Sequence, residues 1–184
     1  MTKNRSISVR SMVFIAIMAA VLCIAAPFSL PIPSAVPLSL ASFVIYLIGA
    51  LLGWKKGCAA VGVYILLGMV GLPVFSGFLG GFARIAGVTG GYIIGYLPCV
   101  LLTGFFTELT GGKLRGMVTG MTLGTLALYA FGTVWFMLFT DSGLAAALAG
   151  CVMPFLPSDV LKIVAASALA VPLRNRLQPV ISGK

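Results

Sequence analysis

TGGYIIGYLPCVLLTGFFTELTGGKLRGMVTGMTLGTLALYAFGTVWFMLF, residues 89–139, gives the clearest indication of the fold class of this chain. All of its charged side chains lie between residues 108 and 115, with a long apolar run on each side of them. A helix needs about 20 mostly apolar residues to cross the hydrocarbon core of a bilayer. The stretch therefore predicts two membrane helices, at about 89–108 and 114–139, joined by a tight turn.

The same pattern extends over the whole chain. Its 184 residues are 60% hydrophobic and only 8% charged, and its mean hydropathy is +1.16. A soluble domain carries about 25% charged residues, so this chain cannot cover a water-facing surface. The apolar content excludes disorder, and continuous rather than alternating apolar runs disfavour a transmembrane β-barrel. We predict one all-α membrane domain, residues 1–184, with six transmembrane helices at about 11–28, 37–53, 57–72, 89–108, 114–139 and 154–173.

Three of the connections have a distinct composition. Trp54-Lys55-Lys56 predicts a tight turn between the second and third helices. Residues 71–88 read as a glycine-rich loop. Residues 144–152 are apolar but too short to span a bilayer, so they predict a short interfacial or re-entrant helix.

The positive charges predict the orientation. The net charge is +9, from twelve Lys and Arg against three Asp and Glu, and the chain has no His. Ten basic residues fall on one side of the predicted topology: Lys3, Arg5, Arg10, Lys55, Lys56, Lys113, Arg115, Arg174, Arg176 and Lys184. The opposite side holds Arg84, and Lys162 lies within the last helix. Because cytoplasmic loops carry the excess of Lys and Arg, we predict a cytoplasmic-membrane protein with both termini in the cytoplasm. Charges scattered in this way do not suggest a nucleic acid partner.

Several kinds of chemistry have no support in the residues. The four cysteines are far apart in sequence and form no CxxC motif, which argues against a zinc site and a disulfide framework. No segment fits the phosphate-binding pattern GxxxxGK[ST]. Without His and with only three acidic residues, a metal-dependent hydrolase is implausible. We expect no enzyme activity, no metal and no cofactor.

Asp159 and Lys162 are out of place in an apolar helix. A charge at the centre of a membrane helix costs about 2.5–3.5 kcal/mol on the insertion scale. The two residues are three apart and so share one helix face. Together with Arg84 in the glycine-rich loop they sum to +1, which suits a small monoanion. Two simpler interpretations stay open: the pair neutralises itself and only packs the helix, and Arg84 is a solvated loop cation.

Small residues at spacings of four predict close helix contacts. Ala16 and Ala20 form such a pair on the first helix. Glycines repeat the spacing elsewhere, at Gly49, Gly53 and Gly57, at Gly91 and Gly95, and at Gly116, Gly120 and Gly124. Packing within the bundle explains most of them.

Four motifs in order along the chain resemble one known family. They are GLPVF at 71–75, GG at 80–81, TGGY at 89–92 and PFLPSDVLK at 154–162. Together they resemble BioY proteins, the biotin-specific substrate-capture subunits (S components) of energy-coupling factor (ECF) transporters. The resemblance covers residues 12–173. It implies a six-helix S-component bundle with a ligand site near the outer face and a role in biotin uptake.

The resemblance also implies which residues bind the ligand. Asp159 and Lys162 match the acidic and basic positions that contact the ligand in the family. Gly91 and Tyr92 match the stretch beside the site, and Arg84 aligns with a family arginine. Biotin has a ureido ring that needs an acceptor, which Asp159 supplies, and a carboxylate that needs a cation, for which Lys162 and Arg84 both stay open. Candidates for the apolar walls are Phe75, Phe78, Phe82, Tyr92 and Phe155.

The partners follow from the same resemblance. Family members work with a transmembrane coupling subunit and two cytoplasmic ATPases, which would hydrolyse the ATP. S components dock through an AxxxA motif on the first helix, which Ala16 and Ala20 match. Three alternatives stay open: a solitary biotin carrier that works without ATPases, a membrane protein without a ligand, and an S component for another vitamin. An S component for another vitamin stays open because the sequence departs from the family pattern at two positions, with Val88 in place of a proline and Ala41 in place of a glutamine.

Overall fold

The computed structural model describes residues 8–30 and 38–182. Within these ranges it contains seven helices and one antiparallel pair of two-residue strands. They are α1 (Val9–Ala25), β1 (Ser29–Leu30), β2 (Leu38–Ser39), α2 (Ala41–Met69), α3 (Phe82–Ile85), α4 (Gly90–Leu109), α5 (Leu114–Thr140), α6 (Leu144–Cys151) and α7 (Leu156–Ser182). Apart from the short strand pair, every regular element in the described residues is a helix, as predicted. Lys3, Arg5, Lys184 and the predicted start of the second helix at 37 lie outside the described residues.

Four helices are long and apolar enough to cross a membrane: α2, α4, α5 and the part of α7 that ends at Pro179. Helix α1 is apolar but shorter, with 17 residues. Each of the four contains an 18-residue window of high hydropathy with at most two charged side chains. The described chain therefore has the helices of a multi-pass membrane protein.

Helix α2 corrects the predicted turn between the second and third helices. The backbone breaks at Gly53 alone, with φ 77° and ψ −179°, and Trp54 to Lys56 are already helical. A Cβ built on Gly57 would lie 3.7 Å from the Cα of Gly49, whereas eight residues of straight helix would separate them by about 12 Å. The two arms of α2, residues 41–52 and 54–69, therefore fold back on each other. Only glycine adopts this positive φ without strain.

Helix α7 is longer than predicted, reaching Ser182 rather than 173. The apolar run ends before Arg174, but the helix continues because its polar side chains find partners at the break in α2. The Arg174 guanidinium donates to the carbonyl of Ala50, and Gln178 Nε2 donates to the carbonyl of Leu51 at 3.3 Å. The break removes the helical donors of these carbonyls, so α7 supplies replacements.

The remaining elements lie near their predicted positions. Helix α1 begins two residues earlier than predicted, with the Ser8 side chain accepting from the Ser11 N–H. It ends at Ala25, ahead of Pro27, rather than at 28. Helix α6 occupies the predicted short apolar segment. The glycine-rich loop contains one unpredicted helical turn, α3, which carries Arg84.

Close packing of α4 brings the bundle together. Helix α4 lies against both α2 and α5, and glycines make these approaches possible. A Cβ on Gly49 would lie 2.8 Å from Thr103, and one on Gly124 would lie 2.7 Å from the carbonyl oxygen of Cys99. The predicted glycine contacts here are thus internal to the bundle. The two ends of the bundle differ: the site end holds the strand pair, α3 and α6, and the basic end holds the α2 break, the α4–α5 turn and the end of α7.

Candidate ligand-binding site

A cavity of about 430 Å³ opens at the site end of the bundle. Pockets of about 300–1,000 Å³ hold small organic ligands. Helices α2, α4, α5 and α7 contribute to its wall, together with β1, β2, α3, the loops before and after α3, and the segment between α6 and α7. Its aromatic wall residues are Tyr64, Phe75, Tyr92, Tyr96, Tyr129 and Phe155. Its charged wall residues are two cations and one anion, Arg84, Lys162 and Asp159.

The Asp159 carboxylate accepts three hydrogen bonds from other side chains. It lies in the first turn of α7, where the helix dipole favours a negative charge, and the residue is only 5% exposed. Oδ1 accepts from Lys162 Nζ at 3.0 Å and, more weakly, from Ser42 Oγ at 3.4 Å. Oδ2 accepts from the Tyr129 hydroxyl at 2.7 Å. The buried charge is thus compensated from α2, α5 and α7 itself.

Lys162 uses its ammonium group entirely on protein acceptors. Nζ donates to the carbonyl of Ser39 at 2.9 Å, to Ser42 Oγ at 3.0 Å and to Asp159 Oδ1 at 3.0 Å. An ammonium has three donors, so these contacts satisfy all of them. The side chain is 11% exposed. In this state Lys162 holds its neighbours in place and has no donor left for a ligand.

Arg84 differs from Lys162 in this respect. It lies in α3 and lines the cavity. Within residues 8–30 and 38–182, its guanidinium has neither a hydrogen bond nor an ion pair. A guanidinium offers a planar fork of donors that matches a carboxylate. Arg84 is therefore the cation in the wall that is available to an anionic ligand.

The aromatic wall residues belong to several elements of the fold. Tyr92 and Tyr96 are one helical turn apart on α4 and so share a face. Tyr64 on α2 contacts Phe75 edge to face, with ring centroids 5.6 Å apart. The Tyr92 hydroxyl donates to the carbonyl of Cys151 at 2.9 Å, which ties α4 to the end of α6. These rings give the cavity flat apolar surfaces beside its charged corner.

The structure brings together most of the predicted site residues. Asp159, Lys162, Arg84, Tyr92 and Phe75 all line the one cavity, although their contacts with a ligand stay a prediction. Phe155, a candidate for the apolar wall, also lines it.

Gly91 is not among the residues that line the cavity, and its contact with a ligand stays a prediction. A Cβ at Gly91 would lie 2.2 Å from the Cβ of Trp135, so this glycine is required for packing of α4 on α5. Phe78 and Phe82 are absent from the cavity wall as well; they are 60% and 64% exposed.

Sequence reasoning missed several wall residues: Tyr129, Tyr96, Tyr64, Ser42 and Ser39. Tyr96 carried a signal, since it follows Tyr92 by four residues in a helix. The others are brought in by tertiary packing. Ser42 and Tyr129 lie 117 and 30 residues from Asp159 in sequence, and no local pattern marks them.

Ala16 and Ala20, the predicted partner-binding residues, lie outside the site. Both are exposed on α1, whereas the buried face of this helix carries Ser11, Ala19 and Leu22. The pair is therefore not used for packing within the described bundle. Its role in binding a partner stays a prediction.

The helices and the cavity define a class of protein. This is a multi-pass membrane protein with a small-molecule site at one end, built from an apolar wall and a few convergent polar groups. Among the described residues, no group of three His, Cys, Asp or Glu could hold a metal ion.

Similarity to known proteins identifies the family. A model of the BioY family matches residues 1–179, and the chain belongs to this family. It is 39% identical to the probable biotin transporter BioY of Pyrococcus horikoshii, over 78% of this chain and 81% of that protein. It is 32% identical to the biotin transporter BioY of Thermotoga maritima, over 90% and 96%. The family resemblance drawn from the four motifs is thereby confirmed.

The fold matches a solved structure of the same kind. A crystal structure of the S-component for biotin from an ECF-type ABC transporter superposes with a TM-score of 0.85 at 30% identity. The match covers 95% of each chain. The two relatives are thus named as transporters, and the matched structure is a component of one.

Proposed function

We propose that this chain binds biotin in the cavity at its site end and serves as the substrate-capture subunit of an ECF-type transporter. The observation that carries the proposal is the Asp159 carboxylate, buried, hydrogen-bonded and facing a cavity with aromatic walls. The similarity to biotin transporters and to a biotin S-component supports the choice of ligand.

The chemistry of biotin fits the two polar corners of the cavity. Its ureido N–H groups need an acceptor, and Asp159 is the carboxylate in the wall. Its valerate carboxylate needs a cation. Lys162 spends its three donors on Ser39, Ser42 and Asp159, whereas Arg84 keeps its guanidinium for a ligand. We therefore assign the ureido ring to Asp159 and the carboxylate to Arg84.

The apolar part of biotin lies between these corners. Its thioether ring and alkyl chain present no polar hydrogen, and they need flat aromatic and aliphatic walls. Tyr64, Phe75, Tyr92, Tyr96 and Phe155 supply such walls. A mostly apolar pocket with a few placed polar groups is the usual form of a small-molecule site.

The orientation in the membrane completes the proposal. The proposed topology has six spans: α1, the two arms of α2 that fold back at Gly53, α4, α5 and α7. Seven described basic residues belong to the basic end: Arg10, Lys55, Lys56, Lys113, Arg115, Arg174 and Arg176. The excess of Lys and Arg marks the cytoplasmic side. Both termini are then cytoplasmic, and the cavity faces outward across the cytoplasmic membrane.

The proposed function includes partners for uptake, which the match to an S-component from an ECF-type ABC transporter supports. The proposed partners are a transmembrane coupling subunit and two cytoplasmic ATPases, which supply the energy. The exposed alanine pair on α1, Ala16 and Ala20, is the proposed contact with the coupling subunit, because small residues let helices approach closely in a bilayer.

The test is biotin binding to the purified protein in detergent. Wild type should bind, and both Asp159→Asn and Lys162→Ala should weaken binding tenfold or more, about 1.4 kcal/mol. The first substitution removes the charged acceptor, and the second removes the group that fixes it.

Two matched substitutions serve as controls. Asp141→Asn replaces an exposed carboxylate in the αL conformation, which Asn tolerates, and Lys113→Ala replaces an exposed cation at the basic end. Neither should change the affinity. A folded wild-type protein that binds no biotin would refute the proposed ligand.

A further inference from the structure

Asp159 has little acceptor capacity left for a ligand. A carboxylate offers about four acceptor positions. Lys162 and Ser42 take the two on Oδ1, and Tyr129 takes one on Oδ2. One position on Oδ2 remains. The Tyr129 hydroxyl occupies one acceptor position on Oδ2 and thereby determines which other position stays open for a ligand.

Tyr129 is positioned to fix the orientation of Asp159 Oδ2. Its residue is 7% exposed, and it lines the same cavity as Asp159. Its hydroxyl donates to Oδ2 at 2.7 Å, the short length of a hydrogen bond to a charged acceptor, about 2.5–2.7 Å. Because Tyr129 belongs to α5 and Asp159 to α7, the contact also fixes the rotation of the carboxylate between two helices.

We propose that Tyr129 is a positioning residue that sets ligand specificity through Asp159, leaving one acceptor position on Oδ2 for one N–H of a neutral cyclic urea. This inference rests on the proposed function, and it adds a reason for preferring a urea over a ligand with more donors. Without the hydroxyl, Oδ2 gains an open acceptor position and the space beside it.

Tyr92 provides the matched comparison. It is another tyrosine in the wall, equally buried at 7%, but its hydroxyl donates to the carbonyl of Cys151 rather than to Asp159. Removing either hydroxyl takes one buried hydrogen bond from the wall. Only the loss of the Tyr129 hydroxyl changes the number of acceptor positions that Asp159 offers.

The experiment measures the affinities of biotin and 2-iminobiotin for wild type, Tyr129→Phe and Tyr92→Phe, by competition against labelled biotin. In 2-iminobiotin a cationic guanidinium replaces the urea and carries additional N–H donors. Wild type should discriminate against it. Tyr129→Phe should bind biotin about tenfold more weakly, which is 1.4 kcal/mol, and should narrow the ratio of the two dissociation constants at least fivefold.

A purely structural role for Tyr129 predicts a different result. Its substitution would then weaken the binding of both ligands equally and leave the ratio of their dissociation constants unchanged. An unchanged ratio, or an equal narrowing in Tyr92→Phe, overturns the inference. Failure of 2-iminobiotin to compete in Tyr129→Phe overturns it as well. Thermal unfolding of each variant confirms that it is folded, and Tyr129→Met, which also lacks the hydroxyl, must change the ratio in the same direction.

The outcomes separate this inference from the proposed function. If wild type binds biotin and the ratio does not respond, only the role of Tyr129 is lost. If wild type binds no biotin, the proposed function fails and the role of Tyr129 fails with it.

Discussion

The charge pair of α7 can be separated into its structural and binding roles by a double-mutant cycle. The variants are Asp159→Asn, Lys162→Met and the two combined. Asp159 is 5% exposed and the Lys162 side chain 11%, so each single substitution leaves one buried charge without its counter-charge. Breaking a buried pair in this way costs about 3–5 kcal/mol.

The hydrogen bonds that remain in each single variant place the expected loss of unfolding free energy at the low end of this range. Lys162 keeps the Ser39 carbonyl and Ser42 Oγ when Asp159 is replaced, and Asp159 keeps Tyr129 and Ser42 when Lys162 is replaced. We therefore expect about 3 kcal/mol for each single variant. For a chain of this length, 1 kcal/mol lowers the melting temperature by about 2–4 °C, so each single variant should melt about 6–12 °C lower.

The double variant should recover most of this loss. It contains neither charge, and the side-chain amide that replaces the carboxylate of Asp159 still offers an oxygen to the Tyr129 hydroxyl. Replacing a buried pair by neutral groups is often neutral for stability, so its melting temperature should lie within a few degrees of wild type. The assay is thermal unfolding in detergent without ligand, followed by intrinsic fluorescence.

Two results would contradict the reasoning. A double variant that melts at the sum of the two single losses would show that the charges do not compensate each other. A stable double variant that binds biotin as tightly as wild type would show that the pair only packs α7, as in the simpler interpretation of the sequence. The structure predicts a stable protein without biotin affinity.

Three further predictions test the other parts of the molecule. Arg84→Gln should weaken the binding of biotin at least tenfold, about 1.4 kcal/mol. It should leave the affinity for biotin amide nearly unchanged, because the amide has no charge for the guanidinium to bind. Equal losses of affinity for both ligands would argue against Arg84 as the carboxylate partner. Ala16→Phe and Ala20→Phe should abolish co-purification of the coupling subunit while biotin binding persists, and a parallel loss of binding would instead show that α1 packs through this face. Gly53→Ala should lower the melting temperature by several degrees, since a non-glycine residue at φ 77° costs about 1–3 kcal/mol and its Cβ would overlap Glu108. Gly62→Ala, with open space around it, is the control and should melt at or slightly above wild type, because Ala is the better helix former.

The helices were predictable from the sequence because each membrane span requires a long, nearly uncharged apolar run. An apolar run of sufficient length has few other uses, and α4 and α5 begin and end within one residue of the predicted positions. The turn in α2 was harder to place. The polar run Trp54 to Lys56 indicated a turn, yet the reversal needs a positive φ, and only Gly53 supplies one.

The charged part of the site was equally visible, since Asp159 and Lys162 are neighbours on one helix face. The rest of the site depends on distances that sequence does not encode locally. Tyr129 reaches Asp159 only because α5 packs beside α7, and Ser39 reaches Lys162 across 123 positions of the chain. Gly91 shows a similar limit: its motif places it beside the site but does not reveal that Trp135 packs against this glycine.

The contacts of Lys162 explain why a costly charge is retained in α7. Packing alone would not require an ammonium group, and ligand binding alone would not require it to contact the Ser39 carbonyl. Ser39 Oγ in turn donates to the carbonyl of Ala26, just past the end of α1, at 2.8 Å. One charge therefore holds Asp159, the start of α2 and the end of α1 in a fixed arrangement around the cavity. Groups that are already ordered lose little freedom when a ligand binds, so the same hydrogen bonds that stabilise the fold prepare the acceptor for its ligand.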